Sequence, residues 1–183
     1  MKRCHWVSMK NENYVSYHDL EWGVPSYDDG YLFEMLLLES FQAGLSWECI
    51  LNKRDAFRVA FDHFDYHKIA SYDMDKITEL LHNEKIVRNR LKINAAICNA
   101  RVFMNIQDEF GSFSNYIWSY SNYRQIIHKG NRIYTHNSLS DKISKDLYKR
   151  GMRFVGSTII YSYLQAIGII YSHDKECELY KGE

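Results

Sequence analysis

Apolar positions along this 183-residue chain recur every three or four residues, and strict alternation is almost absent. That spacing predicts helices. Tyr31 to Ala43 is apolar nearly all round and reads as a buried helix, broken by the Gly44-Leu45 pair. Ser46 is then a candidate N-cap for a helix from Trp47 to about Phe61. Further helices are predicted from Asp73 to His82, from Asn89 to about Gln107, and from Ser112 to Tyr120. Ser138-x-x-Asp141 resembles a capping box ahead of Ile143 to Arg150, and Phe154 to about Ile170 reads as the last long helix. Tyr120 to Asn137 is polar, aromatic and irregular, a predicted loop. With no repeat, low-complexity tract or linker, the expectation is one compact all-α domain over residues 1–183.

Composition changes this picture in three ways. The 23 Lys+Arg balance 23 Asp+Glu, so bulk positive charge cannot carry nucleic-acid binding and a local patch would be needed. The 15 Tyr, 9 Phe and 4 Trp are many rings for a chain of this length, and suggest a stacking pocket as well as a core. Phe154 to Ser172 lacks formal charge, but its Ser157, Thr158, Ser162, Gln165, Gly156 and Gly168 fit a buried helix better than a membrane span. The polar run after Met1-Lys2-Arg3-Cys4-His5-Trp6 gives no readable secretory leader, so a reducing cytoplasm is expected for the four cysteines.

Three groups of residues carry candidate chemistry. Cys4 and His18 near one end, with His173-x-x-x-Cys177 near the other, would make a Cys2His2 set suited to tetrahedral Zn²⁺. With all four positions filled by protein, such a zinc would be structural; on spacing alone a coincidence is the simpler reading. Cys49 and Cys98 sit in apolar helical stretches as small core residues. Glu39 is flanked one turn away by Met35, Leu36 and Ala43, an expensive place for a carboxylate. It is either bonded internally or held as an acceptor for a ligand. Glu21, Glu34 and Glu48 lack that setting and read as surface or capping residues. Trp6, Tyr14, Tyr17, Trp22 and Trp47 could wall a slot for a planar heterocycle, or simply pack the core. Finally, residues 77–92 read as helix, short connection, helix, with Lys85, Arg88, Arg90 and Lys92 either able to meet a phosphate or, more simply, forming a solvated basic face, since no glycine occurs there. A second basic cluster, Lys145, Lys149, Arg150 and Arg153, precedes the last helix.

Together these segments resemble the bacterial DNA-3-methyladenine glycosylase I family. The resemblance is carried by Met1-Lys2-Arg3-Cys4-x-Trp6-Val7, Tyr17-His18-Asp19-x-Glu21-Trp22-Gly23-Val24-Pro25 and Leu32-Phe33-Glu34-Met35. Leu38-Glu39-x-x-Gln42-Ala43-Gly44-Leu45-Ser46-Trp47, Arg150-Gly151-x-x-Phe154-Val155-Gly156 and His173-x-x-x-Cys177 complete it, in order, from residue 1 to about 177. It implies a helix-hairpin-helix glycosylase fold with a zinc clasp joining the two ends through Cys4, His18, His173 and Cys177. It also implies an enzyme that flips 3-methyladenine out of double-stranded DNA and hydrolyses its N-glycosidic bond; a monomer is expected because no exposed apolar stripe in the sequence calls for a partner. Glu39 would be the catalytic acceptor for the base, and Trp6, Tyr14, Tyr17, Trp22, Trp47 and Ser162 would line the slot. Gln42, Gly44 and Leu45 would press into the duplex, and a hairpin at about 82–92, with Arg88, Arg90 and Lys92, would hold its backbone. The wider superfamily commonly activates water with an aspartate, which this family lacks, and neither Asp141 nor Asp174 is an evident substitute by context. A strand-cleaving lyase would need a pocket lysine, and none is found in the apolar helical segments. The alternative is a non-catalytic reader that binds alkylated bases without cutting.

Overall fold

The structure is a computed structural model that describes residues 1–128 and 134–181. Residues 129–133 of the predicted loop lie outside the described residues. The described chain is helical, as expected: α1 (Glu12–Leu20), α2 (Asp29–Gln42), α3 (Trp47–Asn52), α4 (Arg54–Ala60), α5 (Tyr66–Ala70), α6 (Met74–His82) and α7 (Arg90–Phe110). Then come α8 (Phe113–Ser119), a two-residue strand β1 (Ile126–Ile127), α9 (Ser138–Arg150), α10 (Ser157–Ala166) and β2 (Ile170–Tyr171). Helix α2 buries Leu32, Phe33, Met35, Leu36, Leu37, Leu38 and Phe41, and packs against α7 and α10. Its start is fixed by Asp28, whose carboxylate accepts from the Tyr31 amide. No helix among the described residues is long and apolar enough to cross a membrane.

Several boundaries differ from the expectation, each for a tertiary reason. The helix expected from Trp47 to Phe61 breaks at Lys53. Beyond the break the Arg54 guanidinium reaches Glu21 at 2.8 Å and Glu34 at 2.7 Å, a half-buried ion-pair group. These two glutamates are therefore not simple surface groups. The capping box lies one residue earlier than read, with Asn137 and Ser140 bonding each other's backbone amides. Asp141 instead accepts from the Ser157 hydroxyl at the start of α10. The last helix is shorter than predicted, because Gly156 caps its start and the chain leaves helical geometry at Gly168. Ile170–Tyr171 then pairs in parallel with Ile126–Ile127, Ile126 opposite Ile170, so the loop 120–137 is anchored in its middle. Helices α1 and α5 are additional to the predicted set. Cys49 and Cys98 are half-buried rather than core residues, and the Cys98 thiol faces the Gly151 carbonyl at 3.2 Å.

Gly168 shows how tightly the end of α10 is packed. Its φ is +78°, and a Cβ there would lie 2.3 Å from the backbone of Val24 and Pro25. That approach lets the Ser26 amide donate to Ile167 O at 3.0 Å and the Gly23 amide to Gln165 O at 2.9 Å. Gly168→Ala should cost about 3 kcal/mol or more, from backbone strain and overlap together. Urea unfolding of the two proteins measures it, and a cost under about 1 kcal/mol would contradict the packing.

Candidate functional site

Glu39 lies on the inner face of α2, only 3% exposed. Its Oε2 has no hydrogen-bond partner, and neither has the buried Trp47 indole N–H. Burial pushes the Glu39 carboxyl up to about 8, because water that would stabilise the anion is excluded. Both groups line one cavity of about 290 Å³, near the lower end of small-molecule sites. Tyr17 and Trp47 pack at 5.3 Å between ring centres, Trp6 and Trp22 at 4.8 Å, and Trp6 and Tyr14 at 5.4 Å. Trp6, Tyr14, Tyr17, Trp22, Glu39, Trp47 and Ser162, which the sequence singles out, all meet at this cavity. The alternative for Glu39, a carboxylate bonded internally, does not describe Oε2.

Several lining residues had no signal in the sequence. Tyr161, Gln165 and Ser172 come from α10 and the segment after it, and His5 and Asp174 from the two ends of the chain. Tyr161 is steadied by His128, 3.0 Å from its hydroxyl. The His5 amide and ring both meet Asp174 Oδ2, at 2.7 and 2.8 Å. An aspartate therefore does stand at the cavity, which sequence context did not reveal. None of the described lining residues is a lysine.

The two chain ends meet behind this wall. Cys4, His18, His173 and Cys177 are all buried, and their four ligand atoms lie within 4.8 Å of one another, a group able to hold a metal ion. Cys177 Sγ is 3.4 Å from His173 Nδ1 and 3.6 Å from His18 Nε2, and Cys4 Sγ is 3.5 Å from His173 Nδ1. His173 and Cys177 converge through a turn closed by the Cys177 amide on Asp174 O, not along a helix. The other nitrogen of His18 faces Asp19 at 2.8 Å, and Asp19 is gripped by Arg3 at 2.6 Å. That carboxylate–histidine pairing is the outer support metal-binding imidazoles usually carry. Desolvation holds His173 down to about 4, so its ring is neutral and available as a ligand. The Trp22 ring packs against His173 at 4.7 Å and Trp6 against His18 at 5.3 Å, so the cluster and the aromatic wall share atoms of contact.

Residues expected to meet DNA fall into two sets. Gln42 lines the cavity, and its amide closes a turn onto Leu45 O at 2.9 Å. Gly44, at φ +80° with open space where a Cβ would go, and Leu45 form the exposed tip of that turn. Arg88 and Arg90 are exposed where α7 begins. Lys92 departs from its expected place: it is buried, and its ammonium donates to Phe41 O at 2.7 Å and Ala43 O at 2.6 Å. A phosphate contact would require giving up those bonds. It is also a lysine buried in an apolar helix, though beside the turn and not in the cavity lining. The connection at 83–89 contains no glycine, whereas α9 and α10 flank a second hairpin, 151–156, with a glycine at each end. There α10 starts at Gly156 without a side-chain cap, next to exposed Lys145, Lys149 and Arg153. This hairpin has the glycines that 82–92 lacks.

Residues 6–181 match the methyladenine glycosylase family. The chain belongs to that family. Along its whole length it is similar to the DNA-3-methyladenine glycosylase 1 of Escherichia coli K12, 42% identical over 185 residues and covering 98% of that protein. It is also similar to a solved structure of 3-methyladenine DNA glycosylase I, with a TM-score of 0.94, 41% identity, and 98% and 100% of the two chains covered. A tyrosine-to-phenylalanine variant of a 3-methyladenine DNA glycosylase I, solved in complex with 3-methyladenine, aligns with a TM-score of 0.92 at 35% identity over 97% of each chain. Members of this family are hydrolases, and the mostly helical architecture of this chain matches their solved structures.

Burial of Glu39 makes a prediction for stability. A carboxyl whose pKa rises from 4.5 in the unfolded chain to about 8 in the folded one binds protons more tightly when folded. Its penalty is absent below pH 4.5 and grows until pH 8. The stability of Glu39→Gln relative to the native chain should therefore rise across that window, by on the order of 1 kcal/mol per pH unit at most. Denaturant unfolding at several pH values measures it, and a pH-independent difference would show that the acid is not desolvated.

Proposed function

We propose that the chain hydrolyses the N-glycosidic bond of 3-methyladenine in double-stranded DNA, after flipping the base into the ring-walled cavity. The observation that carries this reading is the buried Glu39 oxygen without a partner, facing an aromatic slot that also holds a partnerless indole N–H. Leaving both unsatisfied costs the folded chain free energy that a bound base would return. Methylation at N3 gives adenine a positive charge in the nucleoside. Electron-rich rings favour that cation over neutral adenine. The same positive charge would favour loss of the Glu39 proton to solvent and leave a carboxylate able to accept from the exocyclic amine. When water attacks C1′, a C1′–O bond forms and the C1′–N bond breaks; its electron pair passes to the base and cancels its charge, and the proton lost by the water is released to solvent. The bond is already weak, so holding and orienting the base supplies much of what catalysis needs. Absence of a lysine from the described lining supports a monofunctional enzyme without a lyase step.

The DNA face is read as three adjacent loops. The tip at Gln42–Leu45 would fill the gap left by the flipped base. Arg88 and Arg90 would meet one stretch of phosphates, and the free amides at the start of α10 another. We take the protein to act as a monomer in the cytoplasm, where its four cysteines, all free, stay reduced.

Zinc is the metal that the Cys4, His18, His173 and Cys177 group fits. Zinc bonds of about 2.3 Å to sulfur and 2.05 Å to nitrogen at a tetrahedral angle separate the two atoms by about 3.5 Å. The observed Sγ···N separations run from 3.4 to 3.6 Å. With four protein ligands there is no open position for water, so the ion would supply folding energy and not chemistry.

Two experiments test this reading. Release of free 3-methyladenine from methylated duplex should be readily measured for the native chain and fall at least about a hundredfold in Glu39→Gln. Native protein that binds the duplex but releases nothing would instead be a reader. Cys177→Ser should lose metal content and melt well below the native chain, by on the order of 10 °C. A metal-free native protein with unchanged melting would refute the clasp.

A further inference from the structure

Two polar side chains on α7 point inward from an otherwise apolar face. Lys92 and Asn99 are seven residues apart, two helical turns, and so lie on one side of the helix. Lys92 holds the carbonyls of Phe41 and Ala43, at 2.7 and 2.6 Å, where α2 runs out. Asn99 grips Arg153 in both directions, donating to its carbonyl at 2.9 Å and accepting from its amide at 2.8 Å. Their exposures are 7% and 3%. A buried ammonium bonded only to carbonyls is a costly way to fill space, since an alkyl chain would need no desolvation. Burial accordingly lowers the Lys92 pKa. The cost has a purpose if the targets matter more than the helix that holds them. Phe41 and Ala43 lead into the exposed tip 42–45, and Arg153 lies within the glycine hairpin 151–156. Lys92 and Phe154 also approach each other, 6.0 Å from ammonium to ring centre, so the two loops are neighbours.

We propose that Lys92 and Asn99 are positioning residues that set the spacing between the tip 42–45 and the hairpin 151–156, using α7 as a common spine. This rests on the reading of the chain as a DNA glycosylase. Two loops fixed in advance lose little freedom when duplex binds, so the tip meets the base stack while the hairpin holds the backbone. Neither residue touches the cavity, so capture of a free base is left unaffected.

The test compares native, Lys92→Met, Asn99→Leu and the double variant, all as full chains. Measured are affinity for free 3-methyladenine, affinity for an abasic-site duplex over a range of salt, and base release from methylated duplex. Each single variant should bind the free base within about twofold of native, yet bind duplex and release base about tenfold less well. The double variant should lose far less than the product of the two, because either break frees the spacing. The salt dependence of duplex binding should keep its slope in Lys92→Met. A slope reduced by about one would mean a direct phosphate contact and overturn the proposal. Duplex binding equal to native, or free-base and duplex affinity falling together, would also overturn it. Should Lys92→Met fail to fold, Asn99→Asp, which keeps the bond from the Arg153 amide and loses the other, gives the same separation of affinities. A native chain that releases no base refutes the glycosylase reading itself; a native chain that releases base alongside variants that match it refutes only the spacing role.

Discussion

The two ends of the chain have to meet, and much else depends on that closure. Cys4 and His18 come from the first twenty residues and His173 and Cys177 from the last twelve, yet their ligand atoms gather within 4.8 Å. The cavity wall is built from residues a step or two away in sequence: Trp6 after Cys4, Tyr17 before His18, Ser172 and Asp174 around His173. Ring contacts of Trp6 and Trp22 on the two histidines carry the constraint from the cluster into the wall. A modest chain thus gains a rigid aromatic surface by pinning its termini, where fraying would otherwise be expected.

Against that wall stands a carboxyl that the fold keeps dry. Glu39 arrives on α2, whose neighbouring side chains are core residues, so no solvent reaches it from behind. The Trp47 indole N–H, equally without a partner, comes from the start of α3, placed by the Ser46 cap just beyond the exposed tip. Sites that bind selectively are often built at the expense of stability. Here the expense is two unsatisfied polar atoms, the Glu39 Oε2 and the Trp47 indole N–H.

The long helix α7 gives the other half of the molecule its order. It packs on α2, α5, α6 and α8, and its inward polar groups reach the turns on either side. In this arrangement the aromatic cavity and the exposed turns at 42–45 and 151–156 are supported by different elements. The cavity leans on the joined termini and α2, the loops on α7.

Much of this was legible along the chain. The helical period gave the all-α class, because an apolar stripe at every third or fourth position has few other ways to be buried. Glu39 stood out since a carboxylate one turn from Met35, Leu36 and Ala43 must be either buried or paired, whereas the rings near it read as a slot or as core until they are seen to line the cavity. What the chain alone left open were contacts between residues far apart in sequence. The spacing of Cys4, His18, His173 and Cys177 does not say that two ends converge. Lys92 looks like any surface cation until Phe41 and Ala43 are brought against it. Asp174 is unremarkable until His5 holds it at the cavity, and Gly168 until the backbone of Val24 occupies the place of its missing Cβ. Periodicity is local and survives in sequence, whereas which carbonyl a lysine meets fifty residues away is decided only when helices pack.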